Sequence, residues 1–228
     1  MANPTITKKT NTLNNDDIKS AYIDYVLSND EPPKSVYDFA KKIKITEAEF
    51  YNHYASFIAI EKSVWADLTG RAIAEISLQQ TWKDYSSKEK MLSFFYAYVE
   101  LLKTQRSFVI YSLKKLKSKI STPAVLADVK PLFLAFAEGV IHSGLESGEL
   151  ADRKFFSGKY KDALWLQLAF IINFWMEDDS DDFEKTDEAI EKGVKVTFDL
   201  FQRSPVDNLF EYGKFLVRNV KFKEKMGI

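Results

Sequence analysis

The chain has no cysteine. That excludes disulfides, thiolate metal sites and a cysteine nucleophile, and it fits a reducing, cytoplasmic setting. Histidine is almost absent: His53 and His142 are the only two, far apart in sequence, so no zinc or other metal site is expected. Glycine and proline are scarce, at 8 and 6 in 228 residues. A β-sandwich or an α/β protein of this length needs more turn punctuation, so the scarcity points to an all-α fold. No signal-peptide core is visible in the polar segment MANPTITKKTNTLNNDD. The longest apolar stretch, Ala163 to Met176, is broken by Gln167 and Asn173 and falls short of the ~20 residues a membrane helix needs, so no membrane association is expected. Phosphate-loop, dinucleotide and Ser-His-Asp patterns are all missing, which argues against an enzyme and against a bound cofactor.

Excess charge of either sign is lacking too. The net charge is −1, so any DNA-binding surface must be a local patch rather than a property of the whole chain.

What the chain has in quantity is apolar and aromatic residues, 46% and 14%, arranged at helical spacing. A first helix reads from about Asn15 to Ser28, capped by Asn15 or Asp16, with Ile18, Tyr22, Tyr25 and Val26 on one face. Pro32 and Pro33 stop it. Ser35 caps a short second helix with Val36, Phe39, Ala40 and Ile43 inward. Lys44 marks a turn, and Thr46 with Glu49 forms a capping box for a short third helix. A long fourth helix runs to about Gln80. Further helices are expected near 87–104, 106–119, 123–148 with a kink at Pro131, 157–177, 184–203 and 205–222, nine or ten in all.

Two short helices joined by a tight turn after a longer one make a helix-turn-helix. The residues at fixed places in it are Ser35, Phe39-Ala40, Ile45-Thr46, Phe50-Tyr51 and Tyr54. This pattern resembles the signature of the tetracycline-repressor (TetR) family. The segment Ser143 to Leu150, SGLESGEL, is similar to the one that closes the seventh helix in many members. Phe174 to Ser180, with Asp187 to Lys192, is similar to C-terminal domains of members from Bacteroidetes-type bacteria. The resemblance implies a bacterial one-component regulator: a helix-turn-helix domain at 1–58, and a ligand-binding and dimerisation domain at 59–228. It implies a homodimer that binds operator DNA, and a small apolar ligand that shifts it between two states.

The DNA-contacting candidates are Lys34, Ser35, Lys41, Lys42, Lys44, Thr46, Glu47, Tyr51, Asn52 and His53. The pattern departs from the family's in this region. Where the family usually places a cation, glycine and Thr or Ala, this chain has Glu47, Ala48 and Glu49. Phe57 takes the place of a phosphate-contacting lysine, and Lys44 that of the turn glycine. Two carboxylates at the start of the recognition helix repel phosphate, although a carboxylate can accept from cytosine N4. Residues 1–60 hold seven Lys against eight Asp plus Glu. A repressor therefore competes with a second expectation, a ligand or lipid carrier that keeps the fold without binding DNA.

Phe94, Phe95, Tyr98, Phe108, Tyr111, Phe133 and Phe136 are candidates to line an apolar ligand pocket, against the plainer role of ordinary core. Trp165, Leu168, Ala169, Ile172 and Met176, with Ile190, Val194, Thr197, Phe198 and Phe201, are candidates for a two-fold four-helix interface, against intrachain packing alone. The acidic run from Glu177 to Glu184 fits no EF-hand loop and reads as a solvated connection that caps the next helix.

Overall fold

Asn14 opens the first helix of the computed structural model, which describes residues 13–114, 122–153, 157–202, 212 and 215. Its side-chain oxygen accepts from the backbone N–H of Asp16 and Asp17, and Asp17 accepts in return from Asn14. The cap thus lies one residue earlier than the sequence suggests. Nine α-helices and four short 3-10 turns follow among the described residues, with no strand. The helices are α1 (Asn15–Asn29), α2 (Val36–Lys42), α3 (Glu47–His53), α4 (Phe57–Ser77), α5 (Ser87–Thr104), α6 (Arg106–Lys114), α7 (Val129–Glu146), α8 (Tyr160–Glu177) and α9 (Glu184–Phe201). The all-α reading is correct. No described helix is long and apolar enough to cross a membrane. Of the expected helix at 205–222 only Tyr212 and Phe215 are described, both helical, and the end of the one at 106–119 lies outside the described residues.

The expected kink at Pro131 is absent, for a plain reason. Ala124–Leu126 forms a separate 3-10 turn, and α7 starts only at Val129. Pro131 therefore falls in the first turn, where a missing N–H leaves no helical bond unmade. α4 likewise ends at Ser77 rather than Gln80, and Gln80–Lys83 forms a 3-10 turn.

The chain divides into two compact units, Met1–Gly70 with Leu101–Pro131, and Arg71–Glu100 with Leu132–Ile228. In the first, α1 packs against α6, and α2 against α3. Ile18, Tyr22 and Val26 of α1 are fully buried. The Tyr22 hydroxyl donates to Glu61 of α4 at 2.6 Å. Burial pushes this phenol well above its ordinary pKa, and the bond to Glu61 adds to the shift. Trp65 of α4 donates from Nε1 to Ser112 Oγ of α6 at 3.0 Å, so both buried polar groups are satisfied.

In the second unit, rings from α5, α7 and α8 meet. Phe94 stacks on Tyr98 at 5.4 Å and packs against Phe133 and Phe136 at 5.2 and 5.1 Å, and Phe133 meets Trp165 at 6.0 Å. α8 lies against α9, with Tyr160 stacked on Phe201 at 4.0 Å. The SGLESGEL segment has a clear physical role. Gly148 takes φ +77°, a left-handed turn suited to glycine. Glu149 then accepts from the backbone N–H of Ser87 at 2.8 Å and of Lys88 at 3.3 Å, capping α5. The N–H of Leu150 returns to Gly144 O at 2.9 Å. A Cβ on Gly144 would lie 2.4 Å from Ser87 Oγ and 2.7 Å from Leu150 Cγ.

The acidic run does end by capping α9, through Ser180 and, beyond the sequence reading, Asp178. The Asp178 carboxylate accepts from the backbone and hydroxyl of Ser180 at 2.9 and 2.6 Å, and from those of Thr186 at 2.9 and 2.6 Å. Ser180 Oγ accepts from the Lys185 N–H. Burial pushes the Asp178 carboxyl up, but the bonds from Ser180 and Thr186 outweigh it and hold the pKa well below the carboxylate range.

Two predictions follow from this packing. Gly144→Ala is expected to cost about 1–3 kcal/mol by overpacking. Gly139→Ala in the same helix, where nothing lies within 4 Å of the added Cβ, is expected to gain about 0.5–1 kcal/mol from helix propensity. Denaturant unfolding of the two variants checks the opposite signs. Because the folded pKa of Asp178 is depressed, its contribution is complete above the unfolded pKa and fades as pH falls below about 4. Asp178→Asn should therefore lower the melting temperature at pH 7, with the gap to the parent protein narrowing in acid.

Candidate nucleic-acid interface

The corner formed by α2 and α3 is built around one ring. Phe39 meets Tyr22, Tyr25, Phe50 and Phe57 edge-on, at centroid distances of 6.0, 6.1, 6.1 and 5.5 Å. These rings come from α1, α3 and α4, so one α2 side chain joins all three. Phe57 also stacks on Tyr22 at 5.4 Å. The residue that stands in the place of a phosphate-binding lysine is thus half-buried against the rings of the motif.

Lys44 occupies the turn with φ +63°, so this position does require a left-handed residue. Ser35 caps α2, its Oγ accepting from the Asp38 N–H at 3.1 Å and donating to the Asp38 carboxylate at 2.9 Å. Thr46 caps α3, its Oγ1 accepting from the Glu49 N–H at 3.1 Å. Glu49 folds back and accepts from the Thr46 backbone at 2.7 Å and from its hydroxyl at 2.8 Å. Those bonds hold Glu49 below the ordinary carboxylate range. Glu47 and Glu49 therefore differ. Glu49 is spent on its own helix, whereas Glu47 is exposed and has no hydrogen bond or ion pair among the described residues.

The other sequence-derived candidates separate in the same way. Lys34, Lys41, Lys44, Tyr51 and Asn52 are exposed. Lys42 is exposed as well, but its ammonium lies 4.3 Å from the centre of the Tyr25 ring. His53 is half-buried, with Nδ1 2.5 Å from Asn15 Oδ1, and Tyr54 donates to the Asn15 carbonyl at 3.3 Å. These two residues fasten the end of α3 to the start of α1. Tyr37, 59% exposed on α2, escaped the sequence reading. Its signal was there, since it lies off the face that carries Phe39 and Ala40.

The aromatic candidates for a ligand pocket do not form one set. Phe94, Phe95, Tyr98, Phe133 and Phe136 belong to the second unit, with all but Phe136 buried, while Phe108 and Tyr111 are buried in the first. Among the described residues no three His, Asp or Glu side chains converge on a metal position.

The interface candidates on α8 and α9 also divide. Trp165, Leu168, Ile172, Ile190, Val194, Phe198 and Phe201 are buried within the chain. Ala169, Met176 and Thr197 are half-buried. The apolar side chains these helices leave outward are Leu166, Phe170, Val196 and Leu200, each more than half exposed at 69, 55, 59 and 64%. The periodicity found the inner face of both helices; α8 is apolar on its outward side as well, while the outer face of α9 is mostly charged, with Val196 and Leu200 set in it.

The sequence model of a family described as "Tetracyclin repressor-like, C-terminal domain" matches residues 90–216. No curated protein matches the chain. Solved structures that share its fold include two that align over most of the chain. One, from Shewanella sp. PV-4, is assigned to the tetR family of transcription regulators, with a TM-score of 0.51, 11% identity, and coverage of 83% of this chain and 98% of its own. The other is a protein of unknown function from Rhodococcus sp. RHA1, with a TM-score of 0.51, 10% identity, and coverage of 86% and 100%.

Placing at position 57 the lysine of the family pattern should weaken the fold. Phe57→Lys is expected to destabilise the first unit by on the order of 1–2 kcal/mol through lost ring packing, its ammonium reaching water from the half-buried site. Thermal unfolding checks it, and a variant as stable as the parent would mean that the Phe57 ring contacts do not hold the motif together.

Proposed function

We propose, from the premise that the chain belongs to the tetracycline-repressor-like family, that it is a ligand-responsive transcriptional regulator, a repressor that binds operator DNA as a homodimer. The observation that carries the DNA reading is the outward edge of the α2–α3 corner. Lys41, Lys44, Tyr51 and Asn52 are open there, while the acidic side chains of Asp38 and Glu49 are folded back into helix caps. Of the eight carboxylates in residues 1–60, these two are drawn into helix caps rather than left open to a phosphate backbone. Lys34, Lys41 and Lys44 act as backbone contacts, and α3 enters the major groove with Tyr51 and Asn52.

The helix-turn-helix domain comprises residues 1–58 and the ligand-binding and dimerisation domain residues 59–228. Dimerisation uses the outward stripe of α8 and α9, Leu166, Phe170, Val196 and Leu200, packed isologously against the same stripe of a second copy. A small apolar ligand is held by the aromatic set around Phe94, Tyr98, Phe133 and Phe136, and it shifts the balance between a DNA-binding state and a released one. The carrier reading is favoured by one feature, the unpaired carboxylate of Glu47 at the same edge.

The test is retardation of the DNA upstream of the chain's own gene, across a salt series. With three lysines from each of two copies on phosphates, the slope of log K against log salt is expected to be about −5. Lys41→Gln should reduce it by about 2 units, one per copy. Absence of retardation at low salt, with or without cell extract, would favour the carrier. Sedimentation of Phe170→Glu should give a monomer where the parent protein gives a dimer.

A further inference from the structure

We infer that Glu47 is a base-reading residue that accepts a hydrogen bond from a cytosine amino group, so that each operator half-site contains a C·G pair opposite it. The inference rests on the DNA-binding reading above and says what part of the sequence the protein selects.

Four observations converge on Glu47. It shares one exposed edge of α3 with Ala48, Tyr51 and Asn52, while Phe50 on the opposite side is buried. Its neighbour Glu49, which could have competed for the same role, is committed to the Thr46 cap by two hydrogen bonds. The Glu47 carboxylate has no partner among the described residues. The lysines on the flanking surface are exposed and unpaired as well, or in the case of Lys42 drawn onto Tyr25, so none of them neutralises Glu47.

A bare carboxylate at the edge of a major groove is repelled by phosphate and gains nothing from the backbone. It is tolerated where it faces a donor. The major-groove edge of cytosine offers only a donor, its N4 amino group, whereas guanine offers only acceptors and adenine places an acceptor beside its donor. Position matters as much as chemistry. Ala48, beside Glu47, is too short to block its approach and suits contact with a thymine methyl, and Asn52 on the same edge can take a bidentate pair with adenine. Glu47 is therefore the acceptor in a surface whose other members provide apolar and mixed contacts.

The experiment is enrichment of double-stranded DNA, randomised over two half-sites, by the full-length parent protein and by Glu47→Gln and Glu47→Ala. The parent is expected to enrich C·G at one symmetry-related position in each half-site. Glu47→Ala should lose that preference by roughly 10- to 100-fold while keeping the others. Glu47→Gln should move it towards A·T, because a glutamine amide pairs with adenine. An unchanged base profile, with affinity raised uniformly on every sequence, would mean that Glu47 acts only by charge and would overturn the inference. So would loss of a preference for a base other than cytosine. If the parent protein enriches no sequence at all, the DNA-binding reading itself falls. Glu47 is exposed, so its variants are expected to fold, and circular dichroism confirms this for both.

Discussion

The edge-on packing of four rings around Phe39 is the constraint on which the helix-turn-helix depends. A buried aromatic ring adds about 0.5–1.5 kcal/mol per well-placed ring pair beyond its area. Here the pairs link α1, α3 and α4 to one α2 side chain. The short helices need that anchor. Seven residues each are too few for α2 and α3 to persist alone, since isolated helices below ~12 residues are marginal in water. Local caps and a shared ring core together make up the deficit. This explains why position 57 is aromatic. With Phe39 drawing on Phe57 from the first turn of α4, a lysine there would open the cluster to water.

The second constraint is the use of polar side chains by the backbone. At the α2–α3 corner, Ser35, Thr46 and Glu49 satisfy helix N-termini, and Asp38 accepts from the Ser35 hydroxyl. Asp17, Glu89 and Asp178 do the same elsewhere. A charge bound in this way faces its own N–H groups and the positive end of the helix. It contributes little to the field a nucleic acid would meet. Formal charge summed over residues 1–60 therefore misjudges the surface. Lys34, Lys41 and Lys44 remain outward, and so does the carboxylate of Glu47, while Asp24, Asp30 and Glu31 are exposed on α1 and the loop that follows it.

Much of this was legible in the sequence, because caps, prolines and turns are local. Ser35, Thr46 with Glu49, and the helix starts at Asn15 and Ser87 follow from residue type and spacing over three or four positions. The left-handed demand at Lys44 was legible as well, through the missing glycine. Pro131 misled because a proline reads the same in a first turn as in a helix middle, and only the position of the helix start separates the two. Glu49 reads from sequence both as the capping-box partner of Thr46 and as one of two carboxylates facing phosphate, and the reciprocal bond to Thr46 decides between the two. His53 is similar, since its link to Asn15 spans most of the motif and leaves no local trace.

α8 and α9 show where periodicity stops being informative. Trp165, Leu168 and Ile172 recur at helical spacing, and so do Leu166 and Phe170 on another side. A helix apolar around its girth has two candidate inner faces, and hydropathy alone ranks them equally. Intrachain contacts settle the matter by polar detail. Asp178, at the end of α8, bonds to Thr186 on α9, and Tyr160 of α8 stacks on Phe201 of α9, so both ends of the pair are tied on the same side. Between them Gln167 packs against Gly193, where an added Cβ would lie 2.9 Å from the amide nitrogen, and both its amide atoms are buried without a hydrogen-bond partner among the described residues. An unsatisfied buried amide costs about 1–3 kcal/mol. That cost is tolerable in a helix pair fastened at both ends, and it would be hard to sustain in one held by apolar contact alone. The outward stripe of Leu166, Phe170, Val196 and Leu200 is thus left over after a tightly specified intrachain pairing. Large apolar side chains left over in this way are the ones that a second copy would cover in the proposed dimer.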